Sequence, residues 1–327
     1  MDRKEPSSSC RFKKINLMNS FLVHKPVLLD EVVSNLDIQE NDYVLDGTLG
    51  LGGHAKAILS KLSGNGRYYG FDLDSRNMQE ARKRLKSFEG KVYYVNDNFC
   101  TIDHYQKVLK IDGIDKVVLD LGLSSPHVDV AEYGFSFKKR GPLDMRFSRK
   151  QKLTASMVVN GMSESKITEI FYKFGELKFA PKIARFIVEE RQKKPFVYTD
   201  ELATRLEPVL HPKNAAKELA CIFQALRIVV NDELNVLYNG LNHLFELLKP
   251  GGRIAVISYH SLEDRIVKSF IKKLEKPLET DPEKAQMSIH APAKIELVNK
   301  KIIVPSELEI EENPRARSAK LRVFKKL

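Results

Sequence analysis

The sequence predicts an α/β fold on a mostly parallel sheet, with a helical region inserted between the fourth and fifth strands. One observation is a strand, a glycine-rich turn and a helix in succession over residues 43–62. A second is the nearly continuous apolar strand at 116–121, which is typical of a parallel strand covered on both faces. A third is the stretch from about 125 to 230, where alternating strands and helices give way to helical patterns alone.

The individual elements follow from hydrophobic periodicity and from turn residues. Pro26 opens a first helix, and a leucine stripe with steps of three and four residues predicts a core-facing helix within 220–248. Strands are predicted at 43–46, 67–72, 91–95, 116–121 and 254–258, with an antiparallel edge pair formed by 294–303 and 319–324. The other predicted helices lie at 76–88, 163–174, 179–192 and 199–206.

These patterns divide the chain into three parts. We expect residues 1–22 to be a flexible, basic lead-in. Residues 23–137 and 230–327 are expected to form the domain that carries the sheet. Residues 138–229 are expected to form an inserted helical domain.

Charge and cysteine content restrict the class of protein. The chain has 327 residues and a formal net charge of +11, which is frequent among nucleic-acid partners, although a solvated basic surface gives the same value. Its three cysteines form no C-x-x-C pair, so neither a disulfide framework nor a cysteine zinc site is expected. No other cluster has metal-ligand spacing, and no apolar run approaches the ~18 residues of a membrane span. We therefore expect a cytoplasmic protein without a metal or a membrane partner.

The glycine turn at 47–53 becomes a candidate ligand site because of the strand that follows it. Glycines allow positive φ and let a ligand approach the backbone closely. Asp72 ends the second strand 20 residues beyond Gly52, the distance at which an acid accepts hydrogen bonds from ribose hydroxyls. Asp46 and Asp120 end two further strands at the same rim, where they suit a ligand with a cationic end or cap the following helices. The opening third is therefore interpreted as a nucleoside-binding unit.

Two polar segments lie between strand ends and helices. The segment 120–127 carries Ser124, Ser125 and His127, which either reach the rim or make ordinary turn and core contacts. The segment 257–265 carries His260 at the same rim, and its acids at 263 and 264 equally suit the first turn of a helix.

Two further segments combine cations with other features of nucleic-acid contacts. In the loop 134–147, Phe135 and Phe137 alternate with cations that include Arg146, a pattern that can stack bases and hold phosphates. The alternative is that the aromatic residues are core and the charges are solvated. The tail 313–327 has six cations and no acid, which fits either a phosphate-contacting stripe or a charged edge strand.

At these residues the sequence resembles the bacterial small-subunit (16S) ribosomal RNA cytosine-N4 methyltransferases, the RsmH or MraW family. The matching motifs run in the family order from residue 24 onward. They are H-K-P-V-L-L-D-E (24–31), D-G-T-L-G-L-G-G-H (46–54), D-L-G-L-S-S-P (120–126), G-F-S-F and G-P-L-D-M-R (134–146), F-Q-A-L-R-I-V-V-N-D-E-L (223–234), I-S-Y-H-S-L-E-D-R-I-V-K (257–268) and N-P-R-A-R-S-A-K-L-R (313–322).

The resemblance implies a class I S-adenosylmethionine-dependent methyltransferase fold, which is Rossmann-like, with an inserted helical domain for substrate recognition. It implies methylation of the N4 amine of a cytidine in the decoding region, with ribosomal RNA or the 30S subunit as partner. A homodimer is a further possible partner, which the resemblance does not decide. The implied cofactor contacts are Gly52, Gly53, His54, Asp72, Phe99, Asp120 and His127. The family commonly has glutamine at His127, and an arginine where this chain has Cys221.

The chemistry also requires a hydrogen-bond acceptor for the amine, whose lone pair is delocalised into the ring. The chain lacks the Asp/Asn-Pro-Pro-aromatic loop of many amino-methyltransferases. Candidates for the acceptor and positioning roles are Asp120, Ser124, Ser125, Asp144 and His260. Candidates for RNA contacts are Phe135, Phe137, Arg146, Arg315, Arg317 and Arg322.

Two other functions use a similar sheet. A nicotinamide-dependent oxidoreductase is disfavoured because the turn lacks a clean G-x-G-x-x-G: Gly50, Gly52 and Gly53 are followed by Lys56, with no further glycine at the third position of the motif. An RNA-binding assembly factor that has lost catalysis is disfavoured by the intact glycine turn and by Asp72.

Overall fold

The computed structural model describes residues 26–280 and 288–327. The predicted lead-in at 1–22 lies outside these residues. Among the described residues, no helix is both long enough and apolar enough to cross a lipid bilayer.

A seven-stranded sheet forms the centre of the fold. Its strands in chain order are Tyr43–Asp46 (β1), Arg67–Phe71 (β2), Val92–Val95 (β3), Ile114–Asp120 (β4), Leu248–Ser258 (β5), Ile295–Leu297 (β8) and Lys320–Lys326 (β9). The spatial order is β3-β2-β1-β4-β5-β9-β8. The first five strands are mutually parallel, and β9 pairs antiparallel with both β5 and β8. Two more strands, Leu278–Thr280 (β6) and Ser288–His290 (β7), pair separately.

Alternating side chains of the central strands enter two different cores. Leu45 of β1 packs in one hydrophobic cluster together with Val117 and Leu119 of β4. Val44 and Val118 pack in a second cluster on the other face of the sheet. Since successive residues of a strand point to opposite faces, both faces of the sheet are covered, as the apolar run at 116–121 predicts.

Thirteen α-helices are present among the described residues. Those of the sheet-bearing part are Leu29–Leu36 (α1), Gly53–Leu59 (α2), Ser75–Arg84 (α3), Ile102–Leu109 (α4), Ser125–Asp129 (α5), Glu233–Leu247 (α11), Ser261–Glu275 (α12) and Glu307–Glu312 (α13). Those of the region between β4 and β5 are Ala155–Gly161 (α6), Glu164–Gly175 (α7), Ala180–Lys193 (α8), Thr199–Leu206 (α9) and Ala215–Asn231 (α10).

Two sequence expectations need correction. The region 220–248 is not one helix: Asp232 takes a left-handed conformation (φ +51°) that separates α10 from α11, and β5 begins at Leu248. Aspartate tolerates this conformation better than most residues with a side chain. The predicted antiparallel pair near the end exists as β8 and β9, but only β8 lies at the edge, because β9 is inserted between β5 and β8.

The helices α6–α10 pack around a hydrophobic core of their own. This core also includes Phe135 and Leu143, and Phe137 packs against it. The proposed inserted domain at 138–229 therefore shares its core with the loop that precedes it.

Candidate functional site

A cavity of about 450 Å³ opens at the carboxyl ends of β1 and β4, where the strand order reverses direction. Ligands of open parallel sheets bind at this switch point. The volume is in the range of cavities that hold small molecules and cofactors. The lining residues of the cavity come from the glycine turn after β1, the loop after β4, the end of α10 and the first turns of α11 and α12.

The glycine turn forms the wall nearest β1. Gly50 (φ +52°) and Gly52 (φ +76°) take left-handed conformations, which favour glycine. Gly53 begins α2, and a Cβ at this position would lie 2.4 Å from Cγ of Pro26. Gly50 and Gly53 line the cavity, whereas the Cα of Gly52 faces Leu85.

Asp72 follows β2 and lines the cavity beside this turn. Its Oδ2 accepts a hydrogen bond from the backbone N–H of Gly50 at 2.7 Å, and its Oδ1 accepts one from the N–H of Asp74 at 2.7 Å. Burial raises the pKa of Asp72 to about 7, although both backbone donors act in the opposite direction. Each oxygen retains a lone pair, so this carboxylate can still accept hydrogen bonds from two neighbouring hydroxyls.

Asp120 ends β4 and also lines the cavity. Its Oδ1 accepts a hydrogen bond from the phenol of Tyr259 at 2.7 Å, and its Oδ2 lies 3.7 Å from Nδ1 of His54. Nε2 of His54 is 3.0 Å from the carbonyl oxygen of Val27 and donates to it, so Nδ1 is the unprotonated nitrogen. Burial raises the pKa of Asp120 to about 7 and lowers the pKa of His54. Asp120 is therefore a hydrogen-bond acceptor that titrates near neutrality.

Asp46 has a structural role behind the turn. It is 2% exposed and accepts hydrogen bonds from the N–H of Thr48 at 2.9 Å and the phenol of Tyr68 at 2.7 Å. Oγ1 of Thr48 in turn accepts the N–H of Asp120 at 2.6 Å. These bonds fix the turn relative to Asp120.

The loop after β4 brings Ser124, Ser125 and His127 to the cavity, as predicted. His127 is 4% exposed: its Nε2–H donates to Asp74 at 2.9 Å, and its Nδ1 accepts the N–H of Ser124 at 3.2 Å. Burial lowers the pKa of His127. Burial raises the pKa of Asp74, whereas hydrogen bonds from His127 and Arg76 lower it. The hydrogen bonds have the larger combined effect, so the pKa is about 2. A neutral His127 therefore ties the loop to Asp74, the N-cap of α3.

The cavity is also lined by Arg227, Glu233 and Glu263, which we call the charged cluster. Nε and Nη2 of Arg227 donate to the two carboxylate oxygens of Glu233, each at 2.8 Å. Nη2 also lies 4.0 Å from Oε1 of Glu263, whose Oε2 accepts the N–H of Tyr259 at 2.8 Å. Burial raises the pKa of Glu263, but His260 and Arg227 lower it below its ordinary value.

The charged cluster overlaps a group that resembles a metal site. Glu233, His260 and Glu263 are the group of potential metal ligands found among the described residues, with ligand atoms within 4.8 Å of one another. The guanidinium of Arg227 already pairs with one of these carboxylates and neighbours the other. One positive charge of the protein therefore offsets one of the two negative charges of this group.

Two residues predicted for the chemistry, Asp144 and His260, and one predicted for RNA contact, Arg146, lie outside the cavity. Asp144 and Arg146 pair with each other at 2.7 Å, and Arg146 also donates to the carbonyl oxygen of Gln151. His260 is the N-cap of α12, where its Nδ1 accepts the N–H of Glu263 at 3.4 Å. None of the three lines the cavity, so the structure assigns them local structural contacts instead.

The two phenylalanines proposed for base stacking are core residues. Phe135 is 7% exposed and stacks on Phe147, with ring centroids 5.4 Å apart. Phe137 is half-buried against Phe223 at 5.2 Å. Of the two interpretations that the sequence allows for this loop, the structure favours the aromatic core.

The three tail arginines differ in their surroundings. Arg315 lines the cavity and donates to Oγ of Ser125 at 2.9 Å and to Asp129 at 2.6 Å. Arg322 pairs with Asp264 at 2.9 Å. Arg317 is exposed and has no acidic partner among the described residues.

Residue patterns in the sequence do not identify several of the residues that line the cavity. Asp97 and Asn98 follow β3 at the same rim as Phe99, a position that strand-end reasoning could have found. Arg227 and Glu233 lie on helices, where helical periodicity does not distinguish a charge that faces a cavity from one that faces solvent. Only the fold brings them to the cavity that the glycine turn also lines.

Comparisons with known proteins agree on one family. Residues 21–327 match the MraW methylase family. A protein of Halothermothrix orenii called ribosomal RNA small subunit methyltransferase H is 42% identical over 310 residues, which cover 94% of this chain and 99% of that protein. Proteins with the same name from Dictyoglomus turgidum and Clostridium botulinum are each 43% identical, covering 92% and 93% of this chain and 97% and 99% of those proteins.

Proposed function

Because the chain belongs to the MraW methylase family, we propose that it methylates the N4 amine of a cytidine in the decoding region of small-subunit ribosomal RNA. Membership confirms three expectations: the class I methyltransferase fold, the methyltransferase activity and the S-adenosylmethionine cofactor. The proposal adds the substrate nucleotide and the residues that act on it.

The residues of the cavity fit the cofactor. Asp72 offers two carboxylate oxygens with free lone pairs to a pair of ribose hydroxyls, and Gly50 leaves the adjacent backbone uncovered. Asp97 and Asp120 add two acids to the same cavity, which suits a ligand with positive charge. When bound, S-adenosylmethionine supplies an electrophilic methyl group on a positively charged sulfur.

One observation carries the proposed chemistry, namely Asp120, a largely buried carboxylate held by Tyr259 at the rim of the cofactor cavity. An exocyclic amine develops positive charge as it is methylated and must lose a proton. Asp120 can accept a hydrogen bond from this amine and then its proton, which later passes to solvent. A pKa near 7 makes it a better base at neutral pH than an ordinary aspartate.

The distribution of charge supports an RNA partner. Residues 138–229 contain 19 lysines and arginines against 10 aspartates and glutamates, so this region carries +9 of the net charge of +11. Tyr172 and Phe179 on the same region are 69% and 61% exposed. Exposed cations and aromatic rings are the groups that contact phosphates and unpaired bases. We place the RNA contact on this surface and on Arg317 of the tail.

The direct test of the proposed function is mass spectrometry of small-subunit rRNA nucleosides from cells that lack the gene. We expect N4-methylated cytidine to be lost, and to return when the wild-type protein is supplied. An unchanged N4-methylcytidine content would refute the substrate assignment, and a protein that acts only in assembly would restore growth without restoring the modification.

We expect Asp72→Asn to weaken S-adenosylmethionine binding roughly 10- to 150-fold, since hydrogen bonds to a charged group contribute about 1.5–3 kcal/mol. The carboxylate accepts most strongly when ionised, so wild-type affinity should rise as pH increases through about 7. This rise should be smaller in the variant. Isothermal titration at pH 6 and pH 8 measures both effects.

Asp115→Asn is the matched control for this experiment. Asp115 also accepts a backbone N–H, that of Tyr43 at 2.8 Å, but it lies at the opposite end of the sheet. Its substitution should leave cofactor affinity at the wild-type value. Equal affinities in Asp72→Asn and the wild type would remove Asp72 from the cofactor site.

A further inference from the structure

The charged cluster holds three charged side chains in a largely buried position. The side chains of Arg227, Glu233 and Glu263 are 12%, 11% and 3% exposed. Buried charges are costly unless they are paired and hydrogen-bonded. All three residues nevertheless line the cavity, as the glycine turn does.

Arg227 keeps hydrogen-bonding capacity that the described residues do not use. Its Nε and Nη2 bind Glu233, whereas its Nη1 has no hydrogen-bond acceptor among the described residues. A guanidinium has five N–H donors in a fixed plane, so two donors on Nη1 remain for a ligand in the cavity. Glu233 fixes this plane through two bonds and leaves little freedom for the donors to turn away.

A chain of contacts connects Arg227 to Asp120. Glu263 lies 4.0 Å from Nη2 of Arg227 and accepts the N–H of Tyr259, and the phenol of Tyr259 donates to Asp120. The guanidinium of Arg227 on α10 and the carboxylate of Asp120 on β4 both line the cavity and are connected through the start of α12. A planar ligand that contacts both residues would meet an acceptor at Asp120 and donors at Arg227.

Cytosine has the complementary arrangement on its Watson–Crick edge. Its N4 amine is a donor, and its N3 and O2 are acceptors. We propose that Arg227 is the residue that recognises the base, donating from Nη1 to the N3 and O2 side of cytosine while Asp120 accepts from N4. This inference rests on the proposed function, because it requires a cytosine amine at Asp120. Uracil presents an N–H at position 3 and would face Arg227 with a donor, so it is disfavoured.

The test compares binding of CMP and UMP to the S-adenosylhomocysteine-bound protein. A hydrogen bond from a charged group contributes about 1.5–3 kcal/mol, so we expect CMP to bind roughly 10- to 150-fold more tightly than UMP. In Arg227→Met the two nucleotides should bind equally, with S-adenosylhomocysteine affinity unchanged. With small subunits that lack the modification, the variant should show a raised KM for the RNA.

Arg205→Met is the matched control. Arg205 is also a partly buried arginine of the same region, 18% exposed and paired with Glu190, but it does not line the cavity. The Arg205→Met variant tests whether removal of any buried arginine–glutamate pair alters base preference. We expect this variant to keep the wild-type preference for CMP.

Two results would overturn the inference: a wild-type protein that does not distinguish CMP from UMP, or a folded Arg227→Met variant that retains the preference. If Arg227→Met does not fold, Arg227→Lys keeps the positive charge beside both glutamates but loses the planar fork. That variant should lose most of the preference, and wild-type discrimination by it would equally refute the role. Failure here leaves the proposed function intact if N4-methylcytidine still depends on the gene, whereas loss of that dependence refutes the proposed function itself.

Discussion

Asp120→Asn is expected to lower the rate of methyl transfer about 10²- to 10⁴-fold, the range for loss of a general base. Asparagine keeps the size of the side chain and can still accept the hydrogen bond from Tyr259, but it cannot take a proton from the amine. Single-turnover methylation of small subunits measures the effect. Asp115→Asn, at the far end of β4, should retain full activity.

The pH dependence separates this role from a structural one. Because burial raises the pKa of Asp120 to about 7, wild-type activity should rise as pH increases through about 7 and then level off. The residual activity of Asp120→Asn should lack this rise. A variant with more than half of the wild-type rate, or with the wild-type pH profile, would exclude Asp120 as the acceptor.

The raised pKa of Asp120 also affects folding stability. The resulting change of stability with pH has the opposite sign to that of an ordinary paired aspartate. The folded protein binds the proton of Asp120 more tightly than the unfolded chain does, so this residue lowers stability as pH rises from about 4 through about 7. Asp120→Asn should therefore unfold at no lower denaturant concentration than the wild type at pH 8. This result would show that the loss of activity does not come from loss of folding.

Phe135→Ala is expected to reduce the free energy of unfolding by about 3–5 kcal/mol, the usual cost of removing a buried aromatic side chain. Phe135 stacks on Phe147 and lies 4.9 Å from the ring of His127, so truncation leaves a cavity between the loop and the helical core. Phe137→Ala should cost less, because Phe137 is only half-buried. Urea denaturation of both variants measures the difference.

The alternative for Phe135 is a role in stacking the target base, as the sequence alone allows. That role predicts near wild-type stability with slower methyl transfer. The core position instead predicts much reduced stability. The protein that remains folded should still bind S-adenosylmethionine. A stable Phe135→Ala variant that is slow in methylation would restore the stacking interpretation.

Strand ends were the features that the sequence predicted best. The bounds of β1 and the position of Asp72 both follow from local patterns, an apolar run that stops at a carboxylate and a fixed spacing from the glycine turn. The sequence prediction put Asp144 in the site, whereas the structure pairs it with Arg146, two residues away. Nothing in the sequence marks that pair. Arg227 and Glu233 could not be assigned to a wall of the cavity, since the bend at Asp232 that orients them depends on the packing of two helices.

The position of β9 has a consequence for the order of events during synthesis. This strand is the last of the sheet to be made, yet it lies inside the sheet and pairs with β5 over six residues. Until it emerges from the ribosome, β5 has an unpaired edge, the kind of exposed edge that promotes aggregation of nascent chains. The helical core between β4 and β5 has no such dependence, because its helices α6–α10 all precede β5 in the chain and form a core among themselves and the preceding loop. Nascent chains stalled before residue 320 should therefore protect the helical core from proteolysis while the β5 side of the sheet remains open.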